Sequence, residues 1–140
     1  MSFSKEIFIH FDEGDPAGIL FFGNIFAFAH RAIEEMLAES QVGWKKWFAT
    51  PGYGAPLRHV EAEFINPLLP GQTYSVTVEV IKVGASSVQF ETLFHQGQTP
   101  CAKVKTSHVF VGIGANKKIS KKEIPIEIKE FLIKKVKSLP

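Results

Sequence analysis

Between residues 39 and 57 the hydrophobic period of this chain changes, and that change dictates its architecture. From Asn24 to about Glu39 the apolar residues recur at helical spacing. Ile25, Phe28, Ala29, Ala32, Ile33, Met36 and Leu37 fall on one face, and His30, Arg31, Glu34 and Glu35 on the other. From Leu57 onward the period is two. Four stretches, 57–65, 72–83, 86–96 and 101–113, alternate apolar with polar residues and are separated by the short turn sequences NPLLPG, GA and GQTP. A further strand at 5–11 precedes the helix, and an amphipathic helix at 124–137, opening on Pro125, follows the last strand.

Five strands with one apolar face, and one strongly apolar helix to cover it, predict an α+β fold in one domain, 1–140. An antiparallel five-stranded sheet wraps around a long central helix, with an extra C-terminal helix. VTVEV (76–80) and AKVKTSHVFV (102–111) read as long edges that would be hazardous unpaired, so a homo-oligomer is expected.

The 13 Phe residues suit a deep apolar interior or an apolar pocket. A formal charge of +2 is too small to argue for nucleic acid. Cys101 is the sole cysteine, so neither an internal disulfide nor a CxxC site can form. His10, His95 and His108 lack ligand spacing, so no metal is expected. No leader pattern or membrane-length apolar run is seen, so no membrane partner and a cytoplasmic setting are expected. Half of the 16 Lys and Arg residues lie between Lys117 and Lys137, and there they read as the wet face of a terminal helix. Lys117 and Lys118 remain candidates for a phosphate contact.

The stretch GDPAGILFFGN (14–24) sets one carboxylate, Asp15, in turn-forming residues just ahead of the central helix. Residues 13–22 resemble the 4-hydroxybenzoyl-CoA thioesterase family. Its pattern is an acid, any residue, Asp, two residues, Gly, then aliphatic and aromatic positions. PLRHVEAEFINPLLPG (56–71) is similar to that family's second strand and following turn, and KVGASSVQFE (82–91) to its Gly-x-Ser-Ser crossing. These matches span most of residues 5–113. The resemblance implies the hot-dog fold and an acyl-CoA substrate, with no cofactor beyond the coenzyme A of that substrate. It also implies sites at the interface of a homodimer or homotetramer. Three positions depart from the pattern. Glu13 stands where many relatives carry Asp, and Phe22 where some carry His or Tyr. Residues 84–87 are Gly-Ala-Ser-Ser where the bacterial 4-hydroxybenzoyl-CoA enzyme is basic.

A thioester hydrolase needs a carboxylate near the carbonyl carbon, as nucleophile or as base for water, and donors for the developing oxyanion. Asp15 supplies the first. The backbone N–H groups of Phe22 and Gly23, at the positive end of the helix, supply the second. The plain alternative for Asp15 is a turn residue. Candidate substrate-binding residues are Phe21, Asn24, Trp44, Trp47, His59, Ser86 and Ser87. Asn24 also reads as a helix N-cap, His59 as a partner for a neighbouring carboxylate, and the two Trp residues as core closers. The leading expectation is hydrolysis of an aryl-CoA such as 4-hydroxybenzoyl-CoA. 1,4-Dihydroxy-2-naphthoyl-CoA is the close variant. A hot-dog hydratase or dehydratase, or a non-catalytic acyl-binding module, is the alternative from a different class.

Overall fold

The computed structural model describes residues 3–136. Strand β1 (Phe3–Phe8) leads through a short 3-10 turn at Phe11–Glu13 to helix α1 (Asn24–Ala38) and the brief helix α2 (Trp44–Phe48). Strands β2 (Tyr53–Gly54), β3 (Leu57–Phe64), β4 (Thr73–Val83), β5 (Ser87–Gln96) and β6 (Thr99–Val109) follow. Then come β7 (Val111–Ile113), β8 (Ile119–Lys121) and helix α3 (Ile126–Lys135). The main sheet is antiparallel with strand order β1-β4-β5-β6-β3, and β2, β7 and β8 form a second, smaller sheet.

The period-two pattern buries alternate residues against α1. Tyr74, Val76, Val78 and Val80 of β4, Val88, Phe90 and Phe94 of β5, and Ala102 and Val104 of β6 are all closed from solvent. They meet Ile25, Phe28, Ala29, Ala32, Ile33, Met36 and Leu37, the stripe expected from the helix spacing. Each large side chain so buried contributes roughly 1.5–3 kcal/mol. Ile128 and Leu132 of α3 are also fully buried, and α3 lies against β4.

The structure corrects several boundaries. β1 ends at Phe8, because the chain then turns through residues 11–13, where the Glu13 carboxylate accepts the His10 N–H at 2.7 Å. The stretch 101–113 is two strands. It breaks at Phe110, whose side chain is fully buried and whose N–H donates to Ser86 O at 2.7 Å. The helix predicted to 137 is seen through Lys135, and its last predicted residue lies outside the described ones.

The expected edges are corrected too. β4 and β6 are interior strands, since β1 covers β4 (Phe3↔Val78) and β3 crosses back to cover β6 (Ala62↔Val104). The true edges are β1 and β3. Leu57, Val60 and Phe64 of β3 pair with His108, Thr106 and Ala102 and so share the inner face. Helix α1 leaves them 46%, 41% and 47% exposed. The inner face of β3 is therefore left partly open and apolar.

Candidate active site

Asp15 sits at the start of a tight hairpin loop. Its N–H donates to Ile19 O at 2.8 Å, and the Gly18 N–H returns to Asp15 O at 2.9 Å. Gly18 takes φ of +81°, the left-handed region that side chains disfavour, so a glycine is required to close this loop. One carboxylate oxygen of Asp15 accepts the Ala17 N–H at 2.9 Å, an Asx turn that fixes the side chain. Two bonds then tie the loop to the body of the protein. Phe21 N–H donates to Glu13 O at 2.9 Å, and Leu20 N–H to Leu68 O at 2.8 Å.

The same turn abuts the start of α1. Gly23 takes the N-cap position expected for Asn24, and Asn24 is the first helical residue, so the helix starts one place earlier than that expectation. Asn24 uses its amide to donate to Glu13 O at 3.0 Å, so it clamps the Asp15 loop to the helix. The N–H groups of Asn24 and Ile25 are taken by Phe21 O and Phe22 O, whereas among the described residues those of Phe22 and Gly23 have no acceptor. A Cβ on Gly23 would lie 2.8 Å from Phe21 Cε2, so glycine lets the Phe21 ring fold over this end.

Asp15 and Phe22 open on a cleft of about 490 Å³, lined also by Ile19, Leu20, Phe64, Ile65, Asn66, Pro67 and Leu68. The wall is apolar apart from Asp15 and Asn66. The half-buried Asp15 and Phe22, whose N–H is unclaimed, thus share one apolar cleft, and Gly23, whose N–H is also unclaimed, is the next residue at the helix start.

Comparison with known proteins places the chain in a family. The family model described as the thioesterase-like superfamily matches residues 9–132. The chain belongs to that superfamily. It is 28% identical over 132 residues to the 1,4-dihydroxy-2-naphthoyl-CoA hydrolase of Nostoc punctiforme, covering 94% of this chain and 87% of that protein. It is 30% identical over 102 residues to the hydrolase of the same name from Thermosynechococcus vestitus, covering 72% and 70%. Among solved structures, the 1,4-dihydroxy-2-naphthoyl-CoA thioesterase from Synechocystis superposes with a TM-score of 0.83 at 19% identity, over 95% of this chain and 96% of that one. The dynemicin thioesterase gives 0.87 at 15% identity, over 99% and 100%. The expected hot-dog thioesterase fold is borne out.

The other residues singled out in this thioesterase fall in different places. Phe21 is half-exposed, with its ring centroid 5.0 Å from that of Phe22. His59 is exposed on β3 with Nε2 3.7 Å from Glu61 Oε1, and it does not line the Asp15 cleft. Ser86 and Ser87 lie at the start of β5 beside Val109 and Phe110, away from the cleft. Trp47 is buried in the core, whereas Trp44 is 44% exposed. The stretch Phe64–Leu68, which forms one wall of the cleft, reads in the sequence only as a strand end and a turn.

A second cluster lies farther along α1. Trp44 Nε1–H donates to Glu34 Oε1 at 2.9 Å, and His30 Nδ1 lies 2.8 Å from Glu34 Oε2. Burial by itself would raise the Glu34 carboxyl, but the Trp44 and His30 hydrogen bonds and the nearby positive charge outweigh it and hold the group below its ordinary value. His108 Nδ1 lies 2.8 Å from Ala55 O. Burial pushes the His108 imidazole down, against a smaller upward effect of that hydrogen bond.

Proposed function

We propose that this thioesterase hydrolyses a hydroxylated fused-ring aryl-CoA of the 1,4-dihydroxy-2-naphthoyl type, with Asp15 as the working carboxylate and the Phe22 and Gly23 N–H groups as the oxyanion donors. The observation that carries the reading is that Asp15 shares an apolar cleft with Phe22, whose N–H, like that of Gly23 beside it at the helix start, is unclaimed. Similarity to 1,4-dihydroxy-2-naphthoyl-CoA hydrolases along 94% of the chain favours this acyl group over 4-hydroxybenzoyl.

In this reading the carbonyl oxygen sits against the start of α1, where donors fixed before reaction stabilise the negative charge that develops on it. The Asp15 carboxylate, held by Ala17 N–H, either draws a proton from the attacking water or attacks the carbonyl carbon itself. The C–S bond breaks, the acid departs, and the coenzyme A thiolate takes up a proton. The apolar wall of Phe22, Phe64 and Ile65 suits an aromatic acyl group.

The open apolar inner face of β3, an edge strand among the described residues, supports a homodimer, or a pair of dimers, in which a second copy covers that face and closes the site.

Thiol release from a panel of CoA thioesters tests the assignment, run beside hydration of an enoyl-CoA. The expected result is fastest turnover of 1,4-dihydroxy-2-naphthoyl-CoA, slower turnover of 4-hydroxybenzoyl-CoA and no hydration. Enoyl-CoA hydration without thiol release would overturn it.

A further inference from the structure

The polar cluster on α1 has no part in the hydrolysis just described, yet its chemistry is unfinished. Lys5 of β1 pairs with Glu35 on one flank of α1, while His30 and Glu34 lie on the flank toward β6, with the His30 ring 6.2 Å from that of His108. A carboxylate at neutral pH only accepts hydrogen bonds, so the proton shared between His30 and Glu34 sits on Nδ1, and in the neutral ring Nε2 is then an acceptor. A carbonyl oxygen also only accepts, so the contact with Ala55 fixes His108 in the same tautomer. His108 is 2% exposed, and its Nε2 is buried with no hydrogen-bond partner among the described residues. A buried acceptor left bare is costly, and native proteins ordinarily satisfy such an atom.

The surroundings define the missing partner. Phe48 lies 5.7 Å from His30, and Trp47 and Phe90 lie 6.1 and 5.6 Å from His108, so the walls are aromatic. The open inner face of β3 leads from Phe64, in the wall of the Asp15 cleft, to Leu57, which pairs with His108. His30 lies seven residues beyond Gly23, about 10 Å along the helix axis from that donor. An aromatic ring bearing a hydroxyl at its far side, plus a hydrogen bond of about 2.8 Å, covers a similar reach.

We propose that His30 and His108 form the far, polar end of the acyl pocket, where their Nε2 atoms accept hydrogen bonds from ring hydroxyls and so select aryl thioesters hydroxylated distal to the carbonyl. The proposal rests on the thioesterase reading of Asp15 and names how the acyl group is recognised. A phenolic O–H is the donor that aromatic walls tolerate, and an alkyl chain or unsubstituted ring offers none. Glu34 and Trp44 act behind His30, because the carboxylate sets its tautomer and the indole holds the carboxylate.

The test compares 1,4-dihydroxy-2-naphthoyl-CoA with 1-hydroxy-2-naphthoyl-CoA, which lacks the distal hydroxyl, and with a straight-chain acyl-CoA. The variants are His30→Phe and His108→Phe, which keep an aromatic ring in place and remove the acceptor. The wild type should prefer the dihydroxy thioester in kcat/KM, and the ratio over the monohydroxy thioester should fall by about tenfold in each variant. Should His108→Phe not fold, His30→Phe decides alone. A wild-type enzyme without that preference, or a ratio unchanged by His30→Phe, overturns the proposal. Turnover of the straight-chain thioester alone overturns it and leaves the thioesterase reading standing. No turnover of any of the three overturns both.

Discussion

The Trp47 ring meets Phe110 edge to face, with ring centroids 5.0 Å apart, and only 2% of Trp47 is exposed. Trp44, three residues earlier, is 44% exposed and held by a hydrogen bond to Glu34 and a ring contact with Phe48 at 5.2 Å. Trp47→Ala should therefore cost about 3–5 kcal/mol of stability. Trp44→Ala should cost less, with about 1 kcal/mol of the loss from the hydrogen bond. Urea denaturation of the two variants checks this, and equal losses would contradict the assignment of Trp47 to the core.

Phe22 is 61% exposed and lines the cleft. Its truncation opens no cavity in the core, so Phe22→Ala should leave the melting temperature nearly unchanged. Its N–H remains. Turnover of a bulky aryl thioester should fall about tenfold, while that of acetyl-CoA falls little. A uniform loss across substrates with a large drop in melting temperature would remove Phe22 from the pocket wall.

His108 supplies a pH dependence of stability. Its folded pKa is depressed below the ordinary value near 6.5, chiefly by burial. Above that value both the folded and unfolded states hold the ring neutral, so it contributes no pH dependence. As pH falls below the unfolded value the unfolded chain takes up a proton that the folded protein resists, and stability declines until the folded pKa is passed. Melting temperature should thus drop between about pH 7 and 5, and His108→Phe should flatten the slope in that window. Loss of the Glu34 contribution comes at lower pH, as its depressed carboxyl is protonated. An unchanged slope in His108→Phe would place the proton uptake elsewhere.

Light scattering at micromolar concentration should give a mass at least twice 15.6 kDa, because the inner face of β3, an edge strand among the described residues, is open. A species of 15.6 kDa alone would contradict the second copy.

The parts of the fold legible in the sequence are those fixed by local chemistry. The α1 stripe follows from helical spacing, and the Asp15 loop from residues whose conformations are set within five positions, Gly18 above all. What escaped depends on pairing between distant segments. Nothing in the alternation of 57–64 says that β3 crosses back to β6 and puts β6 inside the sheet. Phe64–Leu68 join Asp15 only because Leu20 N–H finds Leu68 O, so a stretch that reads as turn chemistry becomes a cleft wall. Trp44 and Trp47 are alike as residue types, and only the packing of α2 against Phe90, His108 and Phe110 separates them.

The central claim is that Asp15 performs the chemistry. Asparagine keeps the oxygen that accepts the Ala17 N–H, so Asp15→Asn should fold and melt as the wild type does. Stopped thiol release from 1,4-dihydroxy-2-naphthoyl-CoA measures what remains. The account predicts a fall in kcat of at least about a hundredfold, with Glu13→Gln much milder. Turnover by Asp15→Asn close to that of the wild type would contradict it.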